Sequence, residues 1–130
     1  MSLVTRLERP YRVRFDEAGP DGMLRSSGYL RYAQDLAWVH SESAGFGRDW
    51  YRTRRLTWLV RAVELDILDD VGYGAELIVS TEVTGFRRVW ARRVSQFHLA
   101  HAERPVAEAI TDWVLLGAGG RPVRRAAARV

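Results

Sequence analysis

The sequence predicts an α+β fold in which one long helix lies across an antiparallel sheet of five strands. Three observations predict it. A single stretch with helical spacing follows one alternating segment, four more strand-like segments come after it, and short turns separate those four. Short turns join antiparallel neighbours, and a lone helix must bury its apolar stripe on one face of the sheet.

Residues 9–16 place Tyr11, Val13 and Phe15 on one face and Arg12, Arg14 and Asp16 on the other, the period of a half-buried strand. The Glu17 to Gly22 stretch, with its Gly-Pro and Asp-Gly pairs, is a loop. A helix then starts near Ser26 or Ser27, either of which can cap it, and runs to about Ser43 with Gly45 past its end. Leu30, Ala33, Leu36, Ala37 and Val39, with Tyr29 and Trp38, give apolar coverage wide enough to bury more than one side. The polar residues after Gly45-Phe46-Gly47 read as a loop with one irregular turn. From Leu56 the pattern is β and largely apolar on both faces until Asp69-Asp70, and Gly72 and Gly74 mark the turn. Glu76 to Val83, Val89 to Leu99 and Val106 to Leu116 are the last strands, separated by Thr84-Gly85 and by the His101 to Pro105 stretch. The chain is read as one domain over 1–130, with a flexible Arg-rich tail at about 121–130.

Composition excludes several functions. With no cysteine there is no disulfide framework, thiolate metal site or cysteine nucleophile. The first ten residues lack a signal-peptide core, and no apolar run approaches the ~20 residues that span a bilayer, so the expectation is a cytoplasmic protein with no membrane partner. All 20 basic residues are Arg, and net charge is +4. The surplus lies in Arg121, Arg124, Arg125 and Arg129, and the rest balances against 16 acids. No aromatic-basic signature or helix-turn-helix accompanies the charge, so nucleic acid is not the expected partner.

Several segments resemble one family. Asp21-Gly22-Met23-Leu24, Leu30, Tyr32, Gln34-Asp35, Ala37, His40 and Ser43-Ala44-Gly45 resemble the first repeat of the hot-dog acyl-acyl carrier protein (ACP) thioesterases. Thr57-Trp58-Leu59-Val60-Arg61 resembles that family's Trp-hydrophobic-Val-x-Arg strand, and Gly74 to Thr81, Ala91-Arg92-Arg93 and Ala109 to Leu116 extend the likeness over about 10–125. The resemblance implies a hot-dog fold and hydrolysis of an acyl-ACP or acyl-CoA thioester without a cofactor. Plant members carry two repeats in one chain and this chain has room for one, so a homodimer or homotetramer is implied. Two departures stand out. Aligned on Tyr29, the family's loop Asp falls at Gly19, and Asp21 and Met23 stand where the catalytic repeat has Asn and His.

Thioester hydrolysis needs a polarised carbonyl and a carboxylate that attacks or activates water. Asp21, in the loop just before the helix, is the candidate carboxylate, its alternative being an ordinary Asp-Gly turn residue; Asp16 and Glu17 lie further back. Asp35 is the candidate second acid or base, or else a solvated helix residue. The helix start at Ser27 and Gly28 offers unpaired N–H groups to an oxyanion, and Tyr29 and Trp58 join as substrate contacts, Trp58 as a wall of an acyl channel or as plain packing. His40 is read as an interface or strand-bonding residue before a catalytic one, and His98 with His101 as no metal site. The Arg54-Arg55, Arg87-Arg88 and Arg92-Arg93 pairs are either a solvated strand edge or contacts to phosphates or an acidic carrier. The rival to an enzyme is a non-catalytic hot-dog module that binds an acyl group or a partner protein.

Overall fold

The computed structural model describes residues 5–87 and 89–122. Along the chain run β1 (Arg6–Arg12), α1 (Ser26–Ser43), α2 (Arg48–Arg54), β2 (Thr57–Ile67), β3 (Glu76–Arg87), β4 (Trp90–Leu99) and β5 (Ala107–Leu116). The strands form one antiparallel sheet in the order β1-β3-β4-β5-β2. α1 lies across it on β1, β3 and β5, which is the hot-dog arrangement the sequence implies.

Helical spacing decides how α1 sits. Tyr29, Tyr32, Ala33, Leu36, Ala37, His40 and Ser41 fall on one stripe and are buried. Arg31, Gln34, Asp35 and Trp38 face outward, so the helix is buried on one side and not on several. Beneath it β5 offers a row of small residues, Ala107, Ala109 and Thr111, all buried, which lets the helix approach closely. Leu77 and Val79 of β3 and Phe97 of β4 fill the remaining space, and Tyr29 meets Phe97 edge-on with ring centroids 5.2 Å apart.

Several boundaries differ from the sequence reading. β1 ends at Arg12, and residues 15–17 turn into a 3₁₀ segment because the Arg14 N–H donates to Glu17 Oε1 (3.1 Å) and the Glu17 N–H to the Arg14 carbonyl (3.0 Å). Phe15, read as an inward strand residue, is consequently 77% exposed. Neither serine caps α1; Arg25 is its N-cap and makes no side-chain cap bond. The segment read as an irregular turn is α2, secured where Phe46 packs edge-on against Trp50 (4.8 Å) and ended at Arg55 in the left-handed region, φ 53°. Thr84-Gly85 does not end β3, because a register shift between Val83 and Gly85 absorbs the extra residue and pairing continues to Arg87. Most of the predicted tail, 123–130, lies outside the described residues, as does Arg88. Among the described residues no helix is long and apolar enough to cross a membrane.

Candidate active site

The loop before α1 is pinned on both sides. Gly22 N–H donates to the Gly19 carbonyl (2.9 Å), Leu24 N–H to Val71 (2.7 Å), Tyr73 N–H to Gly22 (3.0 Å) and Arg25 N–H to Glu17 (3.1 Å). Gly22 adopts φ +79°, a conformation that glycine enters without steric cost. Asp21 sits in this turn, exposed, with Oδ1 accepting the Met23 N–H at 3.0 Å. A Cβ built at Gly19 would lie 3.2 Å from that same oxygen, with the Arg25 side chain 3.8 Å away. The Asp21 carboxylate therefore occupies the space into which a side chain at position 19 would project.

The start of α1 is more selective than the sequence suggested. The Gly28 N–H is taken by the Arg25 carbonyl (2.9 Å), and a Cβ at Gly28 would stand 2.3 Å from a Leu24 methyl carbon. Gly28 thus faces the core, and its expected role as an oxyanion donor gives way to one of close packing. Ser26 and Ser27 are exposed first-turn residues whose N–H groups have no carbonyl behind them within the helix. Tyr29 is also corrected: it is 0% exposed, its hydroxyl buried without a hydrogen-bond partner among the described residues, and burial raises its phenol pKa, with Asp70 and Asp69 adding to the shift. It supports the helix start from beneath and has no surface toward substrate.

A second polar group adjoins this loop. The Tyr32 hydroxyl donates to Glu17 Oε1 (2.5 Å) and the Tyr11 hydroxyl to Asp35 Oδ2 (2.6 Å), while the two rings stack at 5.0 Å. Burial first and the neighbouring carboxylate second raise both phenols above their ordinary value, so each remains a donor at neutral pH. Glu17 and Asp35 are consequently held in place, whereas among the described residues Asp21 is bonded only within its turn. No hydrogen bond joins Asp21 to Asp35. Asp16 pairs with Arg14 (2.8 Å) at the surface.

Trp58 belongs to a different region. Under the C-terminal half of α1 and against α2 lies a cavity of about 430 Å³ whose walls include Ala37, Trp38, Leu56, Trp58, Ala91 and Trp113. Ser41 Oγ donates to the Phe46 carbonyl (2.9 Å), so the Tyr51 hydroxyl, 2.8 Å away, donates to Ser41 and accepts the Trp58 Nε1–H (3.0 Å). Arg93, read with Arg92 as part of a basic surface pair, lines this cavity and is only 7% exposed. Arg92 points outward and binds Asp112 through two nitrogens (2.8 and 3.0 Å). Arg93 Nη1 lies 2.9 Å from His40 Nδ1. A guanidinium only donates, so Nδ1 accepts and the histidine proton sits on Nε2; His40 is buried and bonded to a neighbouring strand. Strand parity was the signal for Arg93: it shares a face with Ala91 and Phe97.

These features define the class of protein first. A helix across a five-stranded antiparallel sheet, with its N-terminus behind a carboxylate-bearing loop, makes this a hot-dog domain. Within that class the chain belongs to the acyl-ACP thioesterase family, whose N-terminal domain profile matches residues 5–128. Among curated proteins none matches. Solved structures with the same fold include a 12:0-ACP thioesterase from Umbellularia californica (18% identity, TM-score 0.80) and an acyl-ACP thioesterase from Bacteroides thetaiotaomicron (14%, 0.84). The alignments cover 97% and 93% of this chain but 51% and 50% of those, so the chain spans about half their length. A DHNA-CoA thioesterase from Staphylococcus aureus is 12% identical with a TM-score of 0.84, over 92% of this chain and 80% of that one.

Proposed function

We propose that the protein hydrolyses acyl thioesters carried by ACP or coenzyme A. The observation that carries this reading, beyond family membership, is the position of Asp21 beside Gly19. The family's loop carboxylate is missing at Gly19, and Asp21 delivers one into the adjoining space from two residues further on. In this mechanism Asp21 removes a proton from water as it attacks the carbonyl, or attacks the carbonyl itself. The first-turn N–H groups at Ser26 and Ser27, with the helix dipole behind them, hold the developing oxyanion. Collapse expels the thiolate, which takes up a proton; where Asp21 has itself attacked, water then hydrolyses the Asp21–acyl anhydride, releasing the acid and restoring the carboxylate. Asp35, oriented by Tyr11, serves as the second acid or base, and Trp58 lines space for the acyl group.

A homodimer or homotetramer accompanies this reading. β2 is a sheet edge, and Val63 and Ile67 point to its helix side beyond the reach of α1, 40% and 38% exposed, with Leu59 54% exposed on the opposite face. An apolar, unpaired edge of this kind is normally covered. Light scattering is expected to give at least a dimer, and Val63→Lys with Ile67→Glu a monomer. A monomeric wild type at ~100 μM overturns this part.

The deciding experiment is thiol release from acyl-CoA and acyl-ACP panels by wild type, Asp21→Asn and Glu17→Gln. Loss of about 10²-fold or more on Asp21→Asn, with the fold intact, is expected. Activity unaffected by Asp21→Asn moves the chemistry to Glu17 or Asp35. The non-catalytic binding module remains a second reading, favoured by Asp21 being engaged in its own turn, and no turnover on any thioester would establish it.

A further inference from the structure

We propose that the cavity between α1 and α2 binds a small organic carboxylate, an apolar group whose anionic end is received by Arg93. Arg93 is a cation nearly withdrawn from water, and among the described residues no carboxylate pairs with it. Its Nη1 is spent on His40 Nδ1 (2.9 Å) and Thr81 Oγ1 (3.1 Å). Nε and Nη2, three of its five N–H donors, have no hydrogen bond among the described residues, and the side chain borders the cavity. A buried unpaired cation is costly, and burial pushes this guanidinium down to about 10, so it stays charged at neutral pH. A second buried donor sits in the same wall. Trp113 lines the cavity and its Nε1–H has no acceptor among the described residues. In the β4–β5 register Ala91 faces Trp113 and Arg93 faces Thr111, so Arg93 and Trp113 are diagonal neighbours on one face, roughly 7–8 Å apart. Most of the remaining wall is apolar or aromatic; Gln34, Ser41, Tyr51 and Thr57 add uncharged polar groups, and the exposed Arg48 and Arg52 of α2 also border the cavity. Apolar walls with a few convergent donors of one sign select an amphipathic anion.

Two sources share this chemistry: a free fatty acid, or the far carboxyl of a dicarboxylic acyl thioester. The test titrates sodium decanoate and 1-decanol against the full chain by the fluorescence of the cavity tryptophans. Decanoate is expected to bind at least ~10-fold more tightly than decanol, the worth of a charge-assisted hydrogen bond. Arg93→Met should remove that preference and Arg93→Lys restore part of it. Equal binding of the two probes to wild type, binding of neither, or a folded Arg93→Met that keeps the preference would overturn the proposal; the wild-type comparison stands even if Arg93→Met does not fold. Turnover of decanoyl-CoA against its ω-carboxy counterpart assigns the source. An Arg93-dependent preference for the ω-carboxy thioester identifies the acyl end, and inhibition by decanoate without that preference identifies the free acid. Binding is measured without turnover, so an inactive protein would sink the thioesterase reading and leave this one standing.

Discussion

Replacing Tyr29 by Phe should stabilise this protein, against the usual direction for core substitutions. The ring is fully buried and edge-on to Phe97, and among the described residues the hydroxyl has no hydrogen-bond partner. A buried hydroxyl without a partner forfeits its hydration, which costs about 1–3 kcal/mol. Phe retains the ring and its packing. The void left by one oxygen, roughly 10–15 Å³, returns only about 0.3 kcal/mol of that. The net expectation is a gain of about 0.7–2.7 kcal/mol, which at an m-value of about 2 kcal/mol/M raises the urea midpoint by roughly 0.4–1.4 M. The same substitution tests the placement of Tyr29 beneath the helix start, because a residue with no surface at the site should leave kcat/KM within about twofold. A loss of stability above about 0.5 kcal/mol would show that the hydroxyl is satisfied, and a tenfold loss of kcat/KM at unchanged stability would return Tyr29 to the substrate contacts.

Leu36→Ala should cost about 3–4 kcal/mol by urea unfolding, since Leu36 is 0% exposed at the centre of the α1 stripe and the row beneath it is already small. Asp112→Asn should produce a small, salt-sensitive loss at neutral pH, because Arg92 holds the Asp112 carboxyl below its ordinary value and both partners touch solvent. The folded pKa lies below the unfolded one. The pair's contribution is therefore complete above the ordinary carboxylate pKa and fades as pH falls through the lowered value, and wild type and variant should converge in acid. A difference that grew on acidification would refute it.

How much of this was legible depends on whether local pattern or tertiary contact decides. The α1 stripe and strands β2, β4 and β5 follow from spacing alone, and the strand starts fall one residue after their expected positions at Leu56, Val89 and Val106. β1 was misread because the alternation of Tyr11, Val13 and Phe15 continues past the point where Glu17 folds back to bond Arg14. α2 has no apolar stripe of its own and is set by Phe46 and Trp50. At the site, Asp21, Asp35 and Ser27 were nameable from position, but the tyrosine partners of Glu17 and Asp35 come from strand and helix meeting across 15 to 24 residues. Arg93 was hidden by its charge. Two adjacent arginines read as surface, yet in a strand adjacent residues must face opposite ways, and the neighbours on its own face are the buried Ala91 and Ser95, with Phe97 beyond.

α1 therefore carries two regions at opposite ends, the loop carboxylate with its free N–H groups at the start and the Arg93 cavity under the second half. Ser27 and Gln34, where the cavity lining begins on α1, are seven residues apart, about 10 Å at 1.5 Å per residue, and among the described residues no hydrogen bond links the Tyr11, Tyr32, Glu17 and Asp35 group to the Tyr51, Ser41 and Trp58 group. Sites at that separation without shared partners act independently to within about 0.3–0.5 kcal/mol. Asp21→Asn should then leave decanoate affinity within about twofold. For an acyl group too short to reach Arg93, such as acetyl, Arg93→Met should leave turnover equally unchanged. With decanoyl-CoA, coupling of tenfold or more between the two substitutions would mean that the acyl group bridges both regions in a single bound state, as the contact with Trp58 requires, and strictly multiplicative effects would refute that contact.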